Sequence, residues 1–157
     1  MRRIMILMTT LLLLSGSLLP VSAAGLENKN ILWERTVYED GEITIVEELI
    51  EVQSGVELFA AKKSKSAQKN YYAKDSNGNV VATYTLKGTF TYDGTSATCT
   101  DASCESSVSS IWWYFSSATA RKSGASAKGS FTANNRLSGL AITRSATLTC
   151  SKNGTIS

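Results

Sequence analysis

The chain has no histidine, a single proline and only three cysteines among its 157 residues. Without imidazole, Ser-His-Asp and Cys-His nucleophile arrangements, histidine zinc sites and histidine general bases are all closed. The one proline, Pro20, lies ahead of the β-patterned region and so interrupts no strand. Acidic residues are scarce after residue 57, being confined to Asp75, Asp93, Asp101 and Glu105. Glycoside hydrolysis needs two carboxyl groups several ångströms apart, yet Asp75 and Asp93 stand in turn sequences, where an aspartate ordinarily bonds backbone N–H groups. The stretch DSNGN at 75–79 supplies oxygens but lacks the glutamate and remaining ligands of a calcium loop. The reading is therefore a non-catalytic protein with no cofactor and no metal site.

No apolar run is long enough to cross a bilayer. The longest, Ile4 to Leu14, is interrupted by Thr9 and Thr10 and falls well short of the ~20 residues a span requires. Arg2 and Arg3 precede it and the small-residue stretch VSAAG follows, with cleavage fitting after Ala23 or Ala24. That is the plan of a secretory signal peptide, residues 1–24. The mature product is then expected to be secreted, with no membrane span, and its cysteines to meet an oxidising environment.

What remains is long enough for one domain with a real core. Its charge is unevenly spread. Residues 25–57 hold nine acids against Lys29 and Arg35, whereas residues 58–157 hold twelve bases against the four acids already named. Such asymmetry marks either two functions in one chain or two complementary surfaces.

Period-2 alternation is the strongest signal. From Val80 to Tyr92 the even positions are apolar or glycine and the odd ones mostly threonine, which is a half-buried strand. Gly88 within it suggests a bulge or bend. The pattern returns at Ala125–Ala133 and again at Gly139–Cys150, where Arg144 interrupts the apolar parity and is placed at a strand end or bulge. Turn sequences DSNGN, YDGT, KSGAS and KNGT separate these runs. With further strands at 70–74, 97–100 and 108–118, and a short one at 155–157, the pattern predicts six or seven antiparallel strands in a β-sandwich over residues 70–157, a small barrel being the alternative. Residues 25–60 form an acidic segment in which two β-prone runs flank Asp40-Gly41 as a hairpin, the second run reading equally as a short acidic helix. Residues 61–69, basic and polar, read as a linker.

From Tyr71 onward the order NYYAKDSNGNVVATYTLKGTFTYDGTSATC, an aromatic cluster, KSGASAKGSFTA and TLTCSKNGTIS resembles small uncharacterised secreted proteins of Gram-positive gut bacteria. The resemblance implies a secreted β-sandwich behind an acidic amino-terminal segment, with no established activity, and implies that Cys99 and Cys150 recur while Cys104 is an extra. The Cys99, Trp112 and Trp113, Cys150 spacing is also similar to that of immunoglobulin domains, although Leu148 stands where those have a tyrosine. Parity agrees in aiming Cys99 and Cys150 inward, so a Cys99–Cys150 disulfide is expected with Cys104 free; a Cys99–Cys104 bridge is the rival.

The cluster IWWYF at 111–115 carries the candidate ligand site. On a strand Ile111, Trp113 and Phe115 face the core, and Trp112 and Tyr114 stand outside, where they either stack on a ligand or are covered by residues 31–52. The expected function is a non-catalytic extracellular binding or interaction module, with a cell-envelope glycan, host mucin or another extracellular protein as partner. Nucleic acid is not expected for an exported chain whose bases are scattered. The alternative is a secreted antagonistic or toxin-like protein whose acidic segment is a propeptide, cleaved near Lys62-Lys63.

Overall fold

The computed structural model describes residues 29–52 and 62–157; residues 1–28, which include the expected signal peptide, and the stretch 53–61 lie outside the described residues. Strands β1 (Lys29–Glu39), β2 (Ile43–Val52), β3 (Lys63–Asp75), β4 (Val80–Tyr92) and β5 (Ala97–Val108) form one antiparallel sheet in that order. Strands β6 (Trp113–Ser123), β7 (Ser126–Asn135) and β8 (Ala141–Thr149) form a second. Among the described residues the two sheets make an all-β sandwich of eight strands: the six expected within 70–157, with β3 starting earlier at Lys63, and the two that flank Asp40-Gly41. Within each sheet every strand pairs with its sequence neighbours and only the β5–β6 connection passes between sheets, so the likeness to immunoglobulin domains extends to the two-layer architecture and not to their Greek-key connections. No helix among the described residues is long and apolar enough to cross a membrane.

The alternating runs do what their pattern dictates. In β4, Tyr84, Leu86 and Phe90 are fully buried, and the threonines between them are less so. They meet Ala127 and Phe131 of β7 and Ala146 and Leu148 of β8 in one core. Phe131 is its centre, stacked on Tyr84 at 4.7 Å and tilted against Tyr71 at 5.3 Å. Gly88 marks no bulge in β4. A side chain there would meet the Phe90 ring at 2.7 Å and Ala127 at 3.1 Å, so the glycine answers to close packing between the sheets.

Two expectations are corrected, and one left open is decided. Residues 63–69, read as a linker, are the first half of the central strand β3. Ala67, Lys69, Tyr71 and Ala73 share its buried parity, but lysine in the series hides the alternation. Of the two readings left open for the 43–52 run, the hairpin around Asp40-Gly41 is the one that forms; β2 pairs with β1 on one side and with β3 from Ile43↔Asp75 to Val52↔Ser66 on the other. The stretch TDASCESS belongs to β5, where the register passes from Thr89↔Asp101 to Phe90↔Cys99 and leaves Thr100 as a bulge. One extra residue inverts the parity, which is why no period is readable there.

The cysteines are free thiols. Cys99 and Cys150 are buried as parity required, and both backbones bond the β6–β7 turn, Cys99 N to Gly124 O and Cys150 N to Ala125 O. A bridge also needs Cα atoms within about 7 Å and Cβ atoms aimed at each other, and no two cysteines come to disulfide distance. The Cys99 thiol instead donates to Asp101 O at 3.1 Å and that of Cys150 to Ser151 O at 3.4 Å.

Candidate functional site

The aromatic cluster lies at one end of the sandwich, where the β1–β2, β3–β4, β5–β6 and β7–β8 turns gather. The β5–β6 turn is fastened to the five-stranded sheet by Ser109, whose N–H donates to Val81 O at 3.1 Å and whose hydroxyl donates to Val80 O. It closes with Trp113 N–H donating to Ser110 O at 3.1 Å. The neighbouring β7–β8 turn is held by Asn135, whose side-chain oxygen accepts the N–H groups of Leu137 and Ser138 at 2.8 and 3.2 Å. Gly139, at φ +73°, completes that turn. Arg136 N–H donates to Trp112 O at 2.8 Å, locking the two turns together.

On this base Trp113 is 4% exposed and Phe115 packs against the core, whereas Trp112 is 49% exposed and Tyr114 stands outside with the Arg136 guanidinium 5.0 Å from its ring centre. Trp112 and Tyr114 therefore occupy the predicted side. Ile111 does not: at 80% exposure it projects into solvent, because β6 begins only at Trp113 and strand parity does not reach back into the turn. Leu137, 74% exposed on the adjoining turn, and the half-exposed Val80 and Val108 at the ends of β4 and β5 lie at this same end of the sandwich, and none of these was singled out from the sequence. A cleft of about 210 Å3 lies there, lined by Trp112, Trp113 and Leu137 with Glu42, Asp75 and Ser110. The Asp75 carboxylate is occupied by its own turn, accepting from Asn77 N and Asn79 N at 3.0 and 2.9 Å. Asp93 does the same in the β4–β5 turn, accepting from Thr95 N and Ser96 N.

A second polar cluster, invisible in the sequence pattern, sits inside the molecule. Glu47 lies on the same parity as Ile45 and Leu49 and is buried with them. Its Oε1 accepts the Tyr71 hydroxyl at 2.7 Å, and its Oε2 accepts Arg35 Nε at 2.8 Å and Nη2 at 2.7 Å. Lys69 Nζ stands 3.7 Å from Oε1 and donates to Thr147 O on β8 at 2.7 Å. Burial pushes the Glu47 carboxyl up, but the bonds from Tyr71 and Arg35 and the two positive charges outweigh it and hold its pKa below the ordinary value. Burial likewise lowers the Lys69 pKa, against the opposing pull of Glu47, and raises that of Tyr71. With the carboxylate and the ammonium both engaged, the arrangement ties β1, β2 and β3 to β8. Arg144 works nearby. It keeps the inward parity of β8 and sits at neither a bulge nor a strand end. Its Nη2 reaches Val37 O on β1 at 3.3 Å, with the Tyr38 ring 5.4 Å from its guanidinium.

Comparison of the chain with protein-family models, with curated proteins and with solved structures finds no significant match.

Proposed function

We propose that the protein is a secreted, non-catalytic binding module that engages its partner through the end of the sandwich built around Trp112 and Tyr114. The observation that carries this reading is the grouping of Ile111, Trp112 and Leu137 as exposed side chains on two mutually bonded turns, with exposed Tyr114 next to them at the start of β6 and Trp113 buried beneath. Scattered exposed apolar residues need no explanation, but Trp112 and Leu137 line one cleft together with polar Glu42, Asp75 and Ser110, a grouping that favours a contact surface. Amphipathic rings are suited to sugar faces and to peptide chains alike, and held on rigid turns they lose little freedom on binding. An extracellular glycan, mucin or protein is the partner class that fits export.

The precursor reading draws less support. Removing β2 would strip Ile45 and Leu49 from the core and break the bonds Glu47 makes to Tyr71 and Arg35. β1 and β2 form one edge of the five-stranded sheet with β2 paired to β3 along its whole length, so their loss would leave β3 as an unpaired edge.

The test is a panel of immobilised peptidoglycan, mucin and glycans probed with the purified chain and with a Trp112→Ala, Tyr114→Ala variant. Binding to one of these that falls in the variant supports the proposal; binding to none, or binding that the variant retains, refutes it.

A further inference from the structure

We propose that the outer face of the three-stranded sheet is a second binding surface, for an extracellular polymer of sugar or polyol units bearing sulfate or phosphate esters, with Arg121 and Lys128 at its centre. No aspartate or glutamate occurs after Glu105, so this sheet carries no negative side chain. Arg121 and Lys128 face each other across β6 and β7 in register, and Thr147 of β8 continues the row. Like charges directly opposite in a sheet are destabilising, and neither side chain takes part in an ion pair among the described residues. A repulsive pair with no internal acid to relieve it is what an anionic ligand would neutralise.

The surroundings suit such a ligand. On one side the row Thr119, Ser130, Ser145 presents hydroxyls, and on the other the row Ser123, Ser126, Thr149 does the same. A shallow depression of about 220 Å3 is lined by Arg121, Lys128, Thr119, Ser130, Ser145 and Thr147. Guanidinium binds a tetrahedral oxyanion in bidentate fashion, lysine adds a point charge, and neutral hydroxyls bond both the ester oxygens and the sugar. Rows repeat about 7 Å along the strands and about 4.8 Å across them, an extended contact that a chain fills better than a single ion. No aromatic ring lies in these rows, so the stacking platform of single-stranded nucleic acid is lacking there. The acids of β1 and β2 sit on the other sheet, so the charge of the molecule turns this face toward a polyanion.

The experiment uses the full mature chain against immobilised heparin, poly(glycerol phosphate), uncharged dextran and single-stranded DNA at about 150 mM salt. The proposal expects heparin or poly(glycerol phosphate) to bind, the stronger of the two identifying the ester. It expects Arg121→Ser with Lys128→Ser to weaken that binding about tenfold or more, while Lys62→Ser with Lys152→Ser, which removes the same charge elsewhere, weakens it less than about threefold. Amide shifts on titration should centre on Thr119, Ser130 and Thr147. The Trp112→Ala, Tyr114→Ala variant should bind the polyanion normally, which keeps the two surfaces separable. Equal losses in both charge variants, shifts centred elsewhere, DNA bound as tightly as the stronger of the two polymers, or no binding to either heparin or poly(glycerol phosphate) would overturn the assignment.

Discussion

The hydroxyl of Tyr84, on the interior strand β4, crosses the core to donate to the carbonyl of Thr119 on β6 at 2.7 Å. It can do so only because Gly129 of β7 leaves the path open: a methyl group there would collide with the Tyr84 hydroxyl and lie 2.6 Å from Thr119 O. Burial raises the Tyr84 pKa, so the phenol stays protonated and remains a donor. The two sheets are thus joined by a bond as well as by apolar contact. Tyr84→Phe is expected to cost about 1–2 kcal/mol and Gly129→Ala about 1–3 kcal/mol through overpacking. Urea denaturation midpoints check both, and a Gly129→Ala protein as stable as the parent would contradict the close approach.

Acid should loosen the fold through Glu47. Its folded pKa lies below the ordinary value of 4.5, so the unfolded chain binds the proton more readily. The stabilisation is complete above that value and is lost as pH falls through the folded pKa. Glu47→Gln should flatten this part of the stability profile. Glu47→Ala, which leaves Lys69 buried without its partner, should cost about 3 kcal/mol or more at neutral pH. Melting temperatures measured from pH 7 down to acid for the three proteins decide the matter.

Thiol chemistry separates the three cysteines. Burial pushes the thiols of Cys99 and Cys150 above their usual pKa, whereas Cys104 is only partly covered. Native protein should therefore be alkylated first at Cys104. Unfolded, unreduced protein should take up one alkyl group at each of Cys99, Cys104 and Cys150, read by peptide mass.

The sequence is legible where small and large apolar side chains alternate without interruption, as in β4 and in Ala127, Phe131 and Ala133 of β7. It is opaque where the inward position holds a charge or where one residue is added. Lys69 and Glu47 face inward and are satisfied only by groups distant in the chain, so β3 reads as a linker and β2 as ambiguous. Thr100 shifts the β5 parity and conceals Cys104. At the candidate site Trp112, Trp113 and Tyr114 follow their expected sides. Ile111 and Leu137 escape because they belong to turns, whose side-chain directions no period describes.

Adjacent tryptophans should behave oppositely on truncation. Trp113→Ala removes a buried ring that packs with Phe131 and Ala133 in one core, and is expected to cost about 3–5 kcal/mol. Trp112→Ala removes a half-exposed one and should change stability by less than about 0.5 kcal/mol. Chemical denaturation of the two variants tests the division between core and contact surface.

The most direct test of that contact surface is the indole N–H spectrum of the protein while the ligand found on the panel is added. The chain has three tryptophans, and Trp33, Trp112 and Trp113 are assigned by single replacement with phenylalanine. The account predicts that the Trp112 signal moves with saturating ligand, that Trp113 moves much less, and that Trp33, on β1, stays fixed. A shift at Trp33 with none at Trp112 would place the contact elsewhere and contradict it.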